Sequence, residues 1–538
     1  MQHYFFRIDL TSDKRFTLAP VSKEVMQTLD EPVYIHMYLE GEMPLSLKKM
    51  RQSVIEMLDE VEVYANGKLQ YLLVNPSEGS EQKRNAMYQD LYAKGLQPIY
   101  VQESDSEGGS SQRMIFPGAL LSYSDREKAI NFFTNNPALS EEENLSLAIQ
   151  NLEFELVSAI SLTSRKQKPK IAFIEGHGEL DEYESGDIAR ELSQYYTIER
   201  VELNGEVGGL DEYAAAIVAK PTHPWSEPDK LALDQYLMNG GSIAWFIDAV
   251  SVAEDSLFNG DITYATNNSL HLDDQLFKYG IRLNPDVVQD LSCVARPINA
   301  AGQSTNLQLY PFYYYPLLYP EQTNVITKNI NLVTSRYPST IDTVGANSGL
   351  QKTVLLTSSR YSRIQKTPFM LSLNQIVNEK VSEASFNQPF NTTAVLVEGE
   401  FQSVFTNRIL SSYNNGTPFD FVAQGKPAKM VVVSDGDIIR NDITYRGGGI
   451  RLFSLGYDRY MNQTFGNKEF VKNIILYLTN DYELLNVRKK DFSLRLLDKT
   501  KTIEQRSMLI FINVALPILL VILVAFIFTW YRKRRYSH

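Results

Sequence analysis

The chain of 538 residues is 43% hydrophobic and 22% charged. That is the balance of a globular protein, and the length exceeds what one compact core holds, so two or three domains are expected. A net charge of −12 excludes an electrostatically driven nucleic-acid binder, and a single cysteine, Cys293, excludes an intramolecular disulfide framework or a Cys-cluster zinc site.

In chain order, residues 20–29 read as a helix that Pro32 separates from the β-rich run VYIHMYLE. In LSLKKMRQSVIEMLDEVEVYA, Leu47, Met50, Val54, Met57, Leu58 and Val61 recur at three- and four-residue steps, the spacing of an amphipathic helix. LQYLLVNP is the next strand and residues 81–95 the next helix. LQPIYVQES and QRMIFPGALLSYS then read as hairpin partners around the polar, glycine-rich loop ESDSEGGSS. Strand, helix, strand, then helix, strand, strand is the order of a thioredoxin-like α/β domain, placed at residues 1–165. The chain has no Cys-x-x-Cys pair, so this domain is expected to bind or scaffold without exchanging disulfides. Residues 139–163, with Leu145, Ile149, Leu152, Leu156, Ala159 and Ile160 on one stripe, form a helix leading to the linker TSRKQKP.

Residues 166–482 read as a Rossmann-like domain. The strands KIAFIEG, TIERVEL, AAAIVAKP and SIAWFIDAV alternate with the helices ESGDIARELSQYY and SEPDKLALDQYLMNGG. Nearly all-apolar strands in such alternation predict a parallel sheet covered on both faces, with ligands bound outside the carboxyl ends of its strands. Three turns fall on that edge: 175–179, 220–226 and 248–251. The run Gly176-His177-Gly178-Glu179-Leu180-Asp181 lacks the third glycine of a dinucleotide fingerprint, and its carboxylates make a poor phosphate cradle. Neither a P-loop nor a Gly-x-Ser-x-Gly elbow is present, so no catalytic set is assigned and no cofactor is expected. The candidate ligand-binding edge is Glu175, His177, Glu179, His223 and Asp248, as a metal or sugar-hydroxyl site. The alternative is that Gly176 and Gly178 permit a tight turn whose His177 and carboxylates make local hydrogen bonds. His177→Ala is expected to leave the fold and the membrane complex intact, and loss of folded protein would mark the turn as architectural. Farther on, YPFYYYPLLYPEQ is either a packed segment or an aromatic platform, and Asp435 and Asp437 are either turn formers or cation ligands.

Beyond a stalk at 483–507, residues 508–530 are uncharged and about 23 residues long, enough at ~1.5 Å per residue to span a ~30 Å hydrocarbon layer. Pro517 is tolerable within such a helix, Trp530 stands where an aromatic belt would, and Arg532, Lys533, Arg534 and Arg535 open a tail at 531–538. The positive-inside rule places that tail in the cytoplasm and residues 1–507 outside it. Translocating so long a segment needs an earlier signal, so a membrane segment is expected to precede MQHYFFRIDL.

The stretches RIDLTSDKRFTLAPVSKEVMQTLDEPVYIHMYLEGEMP, FIEGHGE, LVEGEFQSVFTNR, VVVSDGDIIRND and VRKKDFSLRLLDKTK keep one order from Arg7 to the basic tail. In that order they resemble the GldG family of gliding-motility-associated ABC-transporter auxiliary proteins of Bacteroidota. The resemblance implies a complex with a multispanning GldF-like permease and a cytoplasmic GldA-like ATPase in the inner membrane, linked to gliding and type IX secretion. It also implies a periplasmic ectodomain of the GldG/intraflagellar-transport (GIFT) type, a non-catalytic relative of amidotransferase-like folds. Two function classes follow. One is a non-enzymatic, membrane-lipid-anchored subunit, with self-association left open. The other is a cell-envelope glycan-binding or glycan-cleaving protein using Glu175 or Glu179 with Asp248 as its carboxylate pair.

Overall fold

The structure, a computed structural model, describes residues 17–104, 110–133, 140–298, 308–345, 349–379, 381–408, 418–446, 449–481, 487 and 516–536. Met1–Lys490 forms one compact unit and Asp491–His538 another.

The first unit begins with a four-stranded sheet in the order Leu69–Leu73, Val33–Met37, Gly118–Tyr123, Arg126–Asn131. The first pair is parallel and the other two are antiparallel. The predicted stripe of helix Leu45–Tyr64 is its buried face, through Leu47, Met50, Val54, Leu58 and Val61. Each such side chain contributes ~1.5–3 kcal/mol by leaving water. Two details differ from the sequence reading. The run QRMIFPGALLSYS is broken at Phe116-Pro117: Ser110–Ile115 pairs with Ile99–Ser104 in a separate hairpin, while Gly118–Tyr123 enters the main sheet. Gly118 is needed there, because a Cβ would lie 2.5 Å from the Ile130 carbonyl oxygen. Arg126–Asn131, half of it charged, pairs in register with Gly118–Tyr123 across a two-residue Ser124-Asp125 turn, with Ser124 at φ +55. Its apolar signal is weak because only Ile130 is fully buried.

Helix Glu141–Thr163 begins with a capping box, Ser140 and Glu143 bonding each other's backbone N–H. Its Glu153 carboxylate accepts from Ala19 N and Ser22 Oγ, both at 2.6 Å, and so caps helix Pro20–Gln27. Among the described residues this is the one helix long and apolar enough to cross a membrane by length and composition, and 56% of its most apolar stretch is buried inside the fold. In the other unit, helix Leu516–Tyr536 has its described apolar part at Pro517–Arg532. The expected span begins at Met508, and its residues 508–515 lie outside those described.

The larger sheet has ten strands, one of them the two-residue Val333–Thr334 paired off the main path with Gln308–Pro320. Thr197–Glu202, Lys170–Glu175, Tyr213–Ala219, Ser242–Phe246 and Gln424–Val433 run parallel in that order. Thr392–Gln402, Gln351–Thr357, Gln308–Pro320 and Cys293–Ile298 extend it antiparallel. The sheet is therefore mixed, and the parallel arrangement read from sequence holds for one half. Period-two alternation feeds two cores. Ile171, Phe173, Ile217, Phe246 and Val433 pack with Ile188, Leu192, Phe470 and Ile474 of helices Gly186–Ser193 and Asn467–Leu478. Ala172, Ile174, Val218, Trp245 and Val432 pack with Leu233 and Leu237 of helix Glu227–Met238. The tyrosine-rich run is the strand Gln308–Pro320, and its Phe312, Tyr313, Tyr314 and Tyr315 are core residues; Phe312 meets Tyr315 edge-on at 4.7 Å. The packed reading of that run is the one the structure shows, because both faces of the strand are covered.

Partly buried charge joins the N-terminal sheet to the larger one. Lys128 pairs with Glu191 at 3.0 Å, Arg165 pairs with Asp481, and Tyr196 donates to Asp481 at 2.8 Å. Burial opposes charge on Glu191, yet Lys128 and Lys472 outweigh it and hold its carboxyl down at about 2.

Candidate functional site

The strand Lys170–Glu175 ends in the glycine-rich turn at the carboxyl edge. Gly176 and Gly178 take φ of +114 and +72, a region that favours glycine. A Cβ on Gly178 would stand 2.1 Å from Thr222 Oγ1 and 2.3 Å from His223 Nδ1. The Thr222 and His223 amides donate to the His177 carbonyl at 2.9 and 2.8 Å, stitching this turn to the one after Tyr213–Ala219. The His223 side chain is exposed.

His177 is buried and held on three sides. Its ring stacks on Trp225 at 3.9 Å and 6°. Nδ1 faces Glu179 Oε1 at 3.3 Å and Nε2 faces Asp229 Oδ2 at 3.2 Å. Burial opposes charge on the ring, but the hydrogen bond to Asp229 and the Glu179 carboxylate beside Nδ1 outweigh it and raise the imidazole to about 9. A cationic imidazolium therefore lies flat on an indole face. Asp229 also accepts from Gly205 N at 2.7 Å and Ser226 Oγ at 2.6 Å, so one ion pair fastens the turns that follow three strands. Glu179 accepts from His177 N at 2.7 Å, leaving neither of its oxygens directed outward. Glu175 is taken up by Arg200 at 2.5 Å, and Arg200 also donates to the carbonyls of Leu180 and Asp181 and to Ser185 Oγ.

Asp248 lies in a second constellation, built around Lys220. Carboxylate oxygens of Asp248, Asp435 and Asp437 lie within 4.8 Å of one another. The Lys220 ammonium sits among them, 3.1 Å from Asp248 Oδ2 and paired with Asp437. Lys220 itself is in the left-handed region, at φ +56, where its strand ends. Gly436 N donates to Asp248 at 2.6 Å, while Asp435 accepts from Asp437 N at 2.7 Å and from Arg336 N at 2.6 Å. Arg440 bridges Asp437 at 3.3 Å and Glu184 at 2.8 Å. Although burial opposes charge on Lys220, Asp248 and Asp437 raise its amine. Burial, followed by the Asp437 and Asp248 charges, pushes the Asp435 carboxyl well above the usual range. Against burial, Lys220, Arg336 and Arg440 hold Asp437 below it. The cation that serves these carboxylates is supplied by the chain itself.

A polar cleft of about 30 Å³ opens beside this cluster, lined by Arg296, Arg336, Arg440, Asp437, Asp442 and Asp458 among others. That volume holds roughly two waters. Its guanidiniums are engaged: Arg296 by Asp458 at 2.5 Å, Arg336 by Asp442 at 2.7 Å, and Arg440 as above. Sequence reasoning passed over Lys220, Asp229, Arg200 and Arg336. A lysine directly after an all-apolar strand and the Ser226-x-x-Asp229 helix start were the available signals for two of them.

An α/β protein whose strand-end charges are neutralised by its own side chains is the class that this geometry defines. A sequence profile described as an ABC-type uncharacterized transport system matches residues 168–474, more than half of the chain, and the protein belongs to that family. The family points to a non-catalytic accessory role in a transport system, whose other components are a permease and an ATPase. A second profile, for a domain of unknown function, matches residues 12–122. None of the curated proteins matches the chain. Among solved structures, it is similar to the mmIFT52 N-terminal domain at 13% identity and a TM-score of 0.33, over 58% of this chain and 97% of that one. It is also similar to a putative ThuA-like protein from Parabacteroides merdae, at 9% identity and a TM-score of 0.26, over 62% of this chain and 94% of that one.

Proposed function

We propose that the protein is the membrane-anchored, non-enzymatic ectodomain subunit of an ABC-type transport complex. The observation that carries this reading is the consumption of strand-end chemistry by internal pairs, in a chain of the transport family. Glu175, Glu179 and Asp248, the carboxylates a glycan-cleaving enzyme would need, are held by Arg200, His177 and Lys220. The uncharged run 508–530 with its basic tail supports an anchor in the cytoplasmic membrane, with the bulk of the chain periplasmic and the tail cytoplasmic. The parallel pair followed by an antiparallel hairpin supports a thioredoxin-like reading of the N-terminal sheet, and the five parallel strands support a Rossmann-like reading of the larger one. The ordered sequence stretches resembling the GldG family support a place in gliding motility and its linked secretion, beside a GldF-like permease and a GldA-like ATPase.

The test is a mild-detergent pulldown of the tagged full chain from native membranes, beside a version ending at Gln505. Recovery of a permease and an ATPase with the full chain, and their loss with the shorter one, is the expected result. Failure of both versions to recover either component would overturn the reading.

A further inference from the structure

A cleft of about 620 Å³ shares no lining residue with either charged cluster. It lies between helix Asp273–Lys278, strand Ile281–Leu283 with the turn after it, and Val404. Small-molecule sites occupy roughly 300–1,000 Å³ and are mostly apolar, with a few polar groups placed to orient a ligand. The apolar lining here is Leu276, Phe277, Leu283, Pro285 and Val404. Phe277 is 56% exposed, although Leu276 beside it is buried in the core with Leu233 and Leu237. Buried Asp234 fixes two of the walls. It accepts from the Tyr279 hydroxyl at 2.7 Å just past the helix, and from Ser403 Oγ at 2.7 Å and Val404 N at 3.2 Å on the facing segment.

Four ionisable side chains among the described residues line the cleft, and two of them are engaged. Asp274 is held by Lys230 at 2.8 Å and Arg408 at 2.6 Å, and Arg282 by Asp342 at 3.2 Å. Beyond Pro285 the next ionisable groups are Asp286, buried against Thr340, and Lys366 opposite it, neither of which lines the cleft. Asp273 and Lys278 are exposed, and among the described residues neither has an opposite charge at ion-pairing distance. Lys278 donates only to the neutral Gln402 amide oxygen, at 3.2 Å. The cleft thus offers one free carboxylate, one free ammonium and an apolar wall between them.

We infer that this cleft binds a short apolar peptide with free termini, its ammonium at Asp273 and its carboxylate at Lys278. Five helical steps separate these two residues by ~7.5 Å along the axis. An extended chain gains about 3.3–3.6 Å per residue, so a di- or tripeptide carries its terminal charges at that spacing. A single amino acid holds its charges too close together, and a zwitterionic lipid headgroup keeps both at one end of the molecule. The inference is independent of the transport reading.

The test is calorimetric titration of the full chain in lipid nanodiscs with Leu-Phe and Leu-Phe-Leu, against empty nanodiscs. The parent binds at least one of them, and N-acetylation or C-amidation of that peptide weakens binding by ~10-fold. Asp273→Asn and Lys278→Gln, both on the surface, each lower affinity by a similar factor at unchanged Tm. The acetylated peptide binds Asp273→Asn no worse than the free one does, and the amidated peptide behaves likewise on Lys278→Gln, because cap and variant remove the same contact. No binding of either peptide by the parent, equal affinity of capped and free peptides, or losses that add when cap and variant are combined would each overturn the inference.

Discussion

Two charged regions lie close together in this molecule and are built differently. At the carboxyl edge of the parallel strands, charges meet opposite charges from the same chain: His177 between Glu179 and Asp229, Lys220 among three aspartates, Glu175 on Arg200. Between 451 and 459, Arg451 and Arg459 rest on aromatic rings and are exposed. The difference separates charge used to build a fold from charge left to solvent. A buried ion costs several kcal/mol to desolvate, so it persists only when paired, whereas an exposed guanidinium bears no such constraint.

The comparison breaks most readily at Lys220. Lys220→Met leaves Asp248, Asp435 and Asp437 facing one another without their cation and is expected to cost on the order of 3–5 kcal/mol, read as a lower urea midpoint. Adding Asp437→Asn should return part of that loss; a single variant with the parent's midpoint would show that the pairing does not hold this edge together.

Next is His177→Ala, expected to cost on the order of 3 kcal/mol through loss of the Asp229 pair and the Trp225 stack, the reverse of what the sequence leads one to expect. The accompanying pH dependence has a definite sign. The folded value of about 9 stands above the ordinary 6.5, so the stabilisation is complete below pH 6.5 and is lost as pH rises through 9. Thermal melts between pH 6 and pH 10 should show that decline in the parent and a flatter profile in His177→Ala.

Glu191 supplies a smaller test at the junction of the two sheets. Its carboxyl is held at about 2 against an ordinary 4.5, so its contribution is present above pH 4.5 and fades as pH falls toward 2. Glu191→Gln should flatten acid unfolding by roughly 1–2 kcal/mol over that window. The smallest effect belongs to the other side of the comparison: Arg451→Gln/Arg459→Gln should change stability by less than about 0.5 kcal/mol in the same melts. A larger change would mean that these guanidiniums are structural after all.

Element types were legible where local pattern carried them. Leu47, Met50, Val54, Leu58 and Val61 mark one helix face because 3.6-residue periodicity is a property of the chain alone, and the apolar runs at 170–175, 213–219 and 242–246 mark strands buried on both faces. Gly176 and Gly178 likewise announced a tight turn, since only glycine adopts those angles without strain. Arg126–Asn131 was illegible because its place in the sheet comes from its pairing with Gly118–Tyr123 and not from its own composition. The same limit applied at the site. The sequence by itself determined that carboxylates and histidines would collect at strand ends, but their partners lie far along the chain: Asp229 is 52 residues from His177, and Asp437 is 217 from Lys220. Only the tertiary structure decided that those charges face one another instead of a ligand, because pairing depends on distances of a few ångströms that no local pattern encodes.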